Sequence, residues 1–253
     1  MKSLKYLSET VKIKTISEDA NRGVFDIEGL FAGYGLTIGN ALRRILLSSL
    51  PGAAITQIKI KNVSHEFSTL PGVKEDTIEI SLNFKKLRFR TEVDEPQIIT
   101  LKAKGEGVVK AGDIKLNSQI DLVNPDEIIT TLTEKGAELD VEIIVERGLG
   151  YSAVESRNQD EKLAIGVIAL DAFFSPVVNV SYDVENMRVG DRTDYNRLKI
   201  EITTDGSISP SSALHKSANI LNDHFKTIGE VPVQDFDVDK APKKKASTKK
   251  KDE

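Results

Sequence analysis

The feature that most limits the fold is a run of six strand-like segments packed into about a hundred residues. They are AAITQIKIKNV (53–63), KLRFRTEV (86–93), QIITLKAKGEG (97–107), SQIDLV (118–123), EIITTLT (127–133) and ELDVEIIVER (138–147). Each mixes β-branched and polar residues in near alternation, and Gly, Pro or Asp-rich turns separate them. Alternation with period two puts one face of a strand in a core and the other in water. The block from 53 to about 160 therefore reads as a mostly β unit. IEISLNF (78–84) stays open, because its apolar residues alternate like a strand while 78/82 and 80/84 also pair at helical spacing.

The flanks read differently. VKIKTI (11–16) and VFDIEG (24–29) are short strands, and a turn-rich FAGYG leads into a helix. Thr37 is the expected N-cap, with Ile38, Ala41, Leu42, Ile45 and Leu46 at helical spacing and Pro51-Gly52 as the stop. Beyond the β block, VVNVSYDV (177–184) and RLKIEITT (197–204) are strands. A last helix starts at Ser209-Pro210 and ends at Gly229, with Leu214, Ala218, Leu221, Phe225 and Ile228 stepping by 4, 3, 4, 3. That stripe fits either a core-facing face or a coiled-coil-like seam. From about 232 the chain is poor in apolar residues and is expected to be a disordered tail.

Composition excludes several functions. The chain has no cysteine, so disulfides and thiol chemistry are out. No apolar run approaches the ~18 residues of a membrane span, and MKSLKYLSET lacks a leader's apolar stretch. A cytoplasmic location is expected. Seven lysines in 240–253 against Asp252 and Glu253 give the tail +5, which leaves −9 on the remaining 239 residues. So acidic a body is a poor non-specific binder of nucleic acid; the tail could attract DNA weakly.

Four features bear on chemistry. GYGLTIG (33–39) has glycines spaced like a dinucleotide-binding turn, but no acid follows until Glu66 and the neighbouring strands are not arranged as βαβ. The glycines read as a tight lead-in to the helix. DFDVD (235–239) has a metal-gathering spacing but sits beside the lysine tail, outside any core. His65, His215 and His224 form no catalytic or metal set by spacing. Arg43 and Arg44 stand in a helix that is apolar on more than one face, so they are either solvated or aimed at a partner's carboxylate.

Longer stretches decide between these readings. GYGLTIGNALRRILLSSLPGAAITQIKIKNVSHEFSTLPGVKEDTIEISLNFKKL (33–87), NPDEIITTLT (124–133), ERGLGY (146–151), SPV (175–177) and RVGDRTDYNRLKIEITTDGSISPSSAL (188–214) closely resemble bacterial-type RNA polymerase alpha subunits. The resemblance covers residues 5–230. It implies an α+β fold: a discontinuous dimerisation domain (1–50 and 168–230) with two main helices, an inserted mostly β domain (51–167), and a basic tail (231–253). It implies a homodimer in which Ile38, Leu42, Ile45, Leu46, Leu214, Ala218, Leu221, Phe225 and Ile228 meet their copies. It further implies contact with the beta subunit through Arg43, Arg44, His65, Glu66 and Asp76, and with beta-prime through Arg188, Arg192, Asp194 and Leu198. Omega and sigma would join in the holoenzyme, and DNA would be met mainly through the complex. No cofactor is implied on this chain, and the catalytic magnesium is expected on beta-prime. The activity implied is DNA-templated nucleotidyl transfer by the complex, with no catalytic residue here. Family members usually continue into a small promoter-binding C-terminal domain. This sequence reaches Glu253 without one, so promoter contact is not expected of it.

Overall fold

The computed structural model describes residues 10–157, 164 and 166–232. Its principal elements are β1 (Lys12–Glu18), β2 (Arg22–Leu30), α1 (Tyr34–Ser48), β3 (Pro51–Ile60), α2 (Thr77–Lys85), β4 (Gln97–Lys104), β5 (Glu138–Leu149), β6 (Val177–Val189), β7 (Arg192–Thr204) and α3 (Pro210–Gly229). The DFDVD stretch and the expected tail with its lysines from 240 onward lie outside the described residues.

Two sheets organise the chain. The first is antiparallel in the order β1-β2-β7-β6. It joins the two flanks of the sequence, since β2 pairs with β7 and sets Phe25 opposite Ile200 and Ile27 opposite Leu198. α1 and α3 pack on it around a core that includes Phe25, Leu42, Leu46, Leu50, Leu198, Ile200, Ile202 and Leu214. The second sheet has seven strands and takes in most of the β block, while Ile128–Leu132 pairs with Gly107–Lys110 in a separate two-stranded sheet. β4, β5 and β3 are adjacent at its centre, and Phe89–Thr91 and Ile120–Leu122 extend it beyond β3. β5 shows why it forms: Leu139, Val141, Ile143 and Val145 are buried while Glu138, Asp140 and Glu142 face out. Each such fully buried aliphatic contributes about 1.5–3 kcal/mol before ordering costs.

Three expectations change. The ambiguous 78–84 stretch is helical, as α2. Asp76 caps it, its Oδ1 accepting from the Glu79 N–H at 2.7 Å, and Ile80 and Phe84, four apart, are both fully buried. α1 starts at Tyr34, not after Thr37. Gly33 is the N-cap at φ 84°, a left-handed turn open to glycine at no steric cost, and Thr37 lies inside the helix. The inserted unit also runs past 167. Val167–Ala169 pairs with β3, and Ile168 and Leu170 are buried in the second core, although the sequence reading gives residue 168 onward to the first unit.

The units meet closely. A Cβ on Gly52 would fall 1.9 Å from the Phe174 carbonyl oxygen, so only glycine lets β3 pass there. Arg90 donates to the Ser207 and Gly206 carbonyls at 2.8 and 3.3 Å, and Arg88 lies 3.6 Å from the Asp205 carboxylate.

Candidate functional site

α3 is supported by the body only along its first half. Pro210, Ala213, Leu214 and Ser217 are buried, whereas every residue from Asn222 to Pro232 is exposed. Nevertheless the exposed half carries Phe225 and Ile228, each 64% exposed, with Val231 at 67% just beyond. Leu221, Phe225 and Ile228 fall on one face at four- and three-residue steps. A groove of about 670 Å³ runs between α1 and α3, with Leu36, Ala41, Ile45, Arg44, Tyr182 and Leu221 along it. Leu36 is 62% exposed. Such a continuous apolar surface on two adjacent helices is the kind that partners cover.

The expected dimer residues divide. Ile38 and Ile45 are half-buried against the body, Leu221 likewise, and Ala218, Phe225 and Ile228 are exposed. Leu42, Leu46 and Leu214 instead point into this chain's own core, at 4%, 0% and 9% exposure. They hold α1 and α3 on the sheet and are not free to meet a partner. The sequence stripe could not separate these roles, because a helix packed on a sheet and against a partner is apolar on both sides.

The residues expected to touch larger subunits also divide. Arg43 and Arg44 are exposed on α1, and among the described residues neither has an ion-pair partner. His65 and Glu66 are exposed in the loop after β3, where Ser68 Oγ lies 3.2 Å from His65 Nδ1. Phe67 beside them is 72% exposed, an apolar contact candidate that the sequence reading missed. Asp76 is committed to capping α2.

On the β6–β7 hairpin, Arg188 donates to the Gly190 carbonyl at 2.8 Å. Arg192 and Asp194 bind each other through two bonds of 3.0 and 2.6 Å. That contact raises the Arg192 pKa and lowers that of Asp194. The Arg192 guanidinium also sits 4.9 Å from the Phe31 ring centre and 5.3 Å from that of Tyr195, latching the hairpin to the end of β2. Leu198, expected to touch beta-prime, has no exposed surface and is central to the first core, so its role in this chain is packing.

Elsewhere the polar groups are structural. Asp171 accepts from the Val154 N–H and from Lys85 Nζ, both at 3.1 Å, and these contacts hold its pKa below the usual value. Burial pushes Glu75 up, but bonds from the Thr130 hydroxyl and the Thr131 N–H, each 2.7 Å, outweigh it. No cluster of three or more His, Asp or Glu residues able to hold a metal occurs among the described residues. No helix there is long and apolar enough to cross a membrane.

Residues 58–175 match the family profile described as the RNA polymerase Rpb3/RpoA insert domain. The chain is 49% identical over 218 residues to the DNA-directed RNA polymerase subunit alpha of Moorella thermoacetica, covering 86% of this chain and 69% of that one. It is 50% identical over 219 residues to that of a Roseiflexus strain, RS-1, covering 87% and 67%. With the Alkaliphilus oremlandii subunit the identity is 48% over 215 residues, covering 85% and 67%. At this identity over most of its length, the chain belongs to the family of bacterial DNA-directed RNA polymerase alpha subunits.

Proposed function

We propose that this chain is a non-catalytic scaffold that dimerises and gathers the large subunits of a DNA-directed RNA polymerase in the cytoplasm. The observation that carries the reading is the unsupported half of α3, where Phe225 and Ile228 are two-thirds exposed although the helix is continuous. A second copy approaching along a two-fold axis would cover both helix ends at once. The interface so formed comprises Ile38, Ile45, Ala218, Leu221, Phe225 and Ile228. The discontinuous unit built on the first sheet serves dimerisation, and the inserted unit helps to set the distance to the partners.

The beta subunit is met by Arg43 and Arg44, with the His65–Glu66 loop and Phe67 beside it. Exposed arginines on a helix, with no ion-pair partner among the described residues, suit bidentate bonds to a carboxylate. Beta-prime is met by the β6–β7 hairpin around Arg188 and the Arg192–Asp194 pair. A symmetric dimer presents each surface twice, so the two different large subunits break the symmetry, each using mainly one copy. Omega and sigma join through the assembled complex, which also supplies the contact with DNA and the catalytic magnesium.

The test is co-purification. A tagged copy should recover an untagged copy together with both large subunits. Recovery of the tagged chain alone, as a monomer, would sink the proposal.

A further inference from the structure

We infer that Asn196 is a positioning residue that fixes α1 along its axis and thereby shapes the α1–α3 groove; the consequence for association rests on reading that groove as part of the dimer face. α1 begins without a cap of its own. Gly33 has no side chain to offer, and the first turn holds no acid. The first N–H groups of a helix need acceptors from elsewhere. Asn196, on β7 and more than 160 residues away, supplies one: its Oδ1 accepts from the Gly33 N–H at 2.9 Å and the Gly35 N–H at 3.3 Å. Asn196 is only 6% exposed, so water does not readily replace it.

The amide is held the right way round. Asn186 is the cross-strand partner of Asn196 on β6, and its Oδ1 accepts from Asn196 Nδ2 at 3.2 Å. The helix N–H groups can only donate, so they hold the Asn196 oxygen toward α1 and leave the nitrogen for Asn186. Depth is set separately. A Cβ on Gly35 would lie 2.7 Å from Val184 Cγ1, and one on Gly39 would lie 2.8 Å from Tyr182 Cδ2. The two glycines, one turn apart, let the helix backbone settle onto the sheet. A bare glycine track gives closeness but little resistance to sliding. The polar bond at the helix start provides the stop. Axial slippage would carry Leu36 and Arg44 past Leu221 on the opposite side of the groove.

The test measures amide hydrogen exchange at Gly33 and Gly35, and the dimer dissociation constant, on the full chain. Asn196→Ala should speed exchange at both amides and raise the dissociation constant about five- to tenfold, the loss typical of a helix cap. Asn196→Asp keeps the acceptor and adds charge that the helix start favours; Asn186 turns its amide to donate, and both readouts return to parent values. Asn186→Asp combined with Asn196→Asp sets two carboxylates face to face and should lose the rescue. Unchanged exchange in Asn196→Ala, or an Asn196→Asp as impaired as Asn196→Ala, overturns the cap. Faster exchange with an unchanged dissociation constant overturns the link to association. A parent chain that is monomeric throughout refutes the dimer reading instead, and the exchange arm still decides the cap.

Discussion

Phe225→Asp gives the clearest test of the α3 surface, because the side chain takes little part in its own chain's core. At 64% exposure, roughly two-thirds of the ~1.5–3 kcal/mol that burying a Phe contributes is still available, about 1–2 kcal/mol per copy. A two-fold interface uses the residue twice, so removal costs about 2–4 kcal/mol. At ~1.4 kcal/mol per tenfold, the dimer dissociation constant should rise ~30- to 1,000-fold. Desolvating the new carboxylate pushes the loss toward the upper end. Sedimentation equilibrium over a wide concentration range reads the shift, with far-UV circular dichroism and thermal melting as controls for the fold. A variant that folds normally and dimerises within about threefold of the parent would refute placing the interface on this half of the helix.

Other outcomes follow from the same geometry. Arg44→Ala should leave the fold and dimer intact but lower capture of the beta subunit about tenfold or more, as loss of a charge-assisted bond does; undiminished capture in pull-down would remove Arg44 from that contact. Gly39→Ala gains helix propensity, but its Cβ would press on Tyr182 and Leu198 at 2.8 and 2.9 Å. Overpacking should prevail, with a net loss of ~1–2 kcal/mol in denaturant titration; a stabilised variant would show that the helix can lift off without cost. The Val154 N–H and Lys85 keep Asp171 ionised to lower pH in the folded chain than in the unfolded one. Its contribution is therefore complete above its ordinary value of 3.8 and is lost as pH falls through the lower folded value. Asp171→Asn should show a shallower loss of stability than the parent below about pH 4, and parallel acid titrations would contradict this.

Much of the fold is written in local pattern. β5 alternates so regularly that its buried face can be named residue by residue, and the stripe of α3 marks a helix with an apolar side. The pattern loses resolution where one side chain can serve two neighbours. Leu42, Leu46 and Leu214 share the spacing of the proposed interface residues but face the sheet, and only the packing of α1 and α3 separates the groups. α2 was ambiguous because period two and period 3.6 coincide over seven residues; the cap at Asp76 decides it. The start of α1 depends on a left-handed glycine and an asparagine from the far end of the chain, and no local window holds both. The arginines illustrate a related limit, since Arg192 looks as available as Arg43 in sequence but is spent on Asp194 and two aromatic rings. Polymerase membership came from extended similarity, because neither composition nor periodicity encodes it.

Native mass spectrometry of the complex captured by a tagged chain tests the scaffold account most directly. The account predicts two copies of this chain with one of each large subunit, and loss of the second copy in the Phe225→Asp variant. A complex holding a single copy of the parent chain, or one whose stoichiometry Phe225→Asp leaves unchanged, would contradict it.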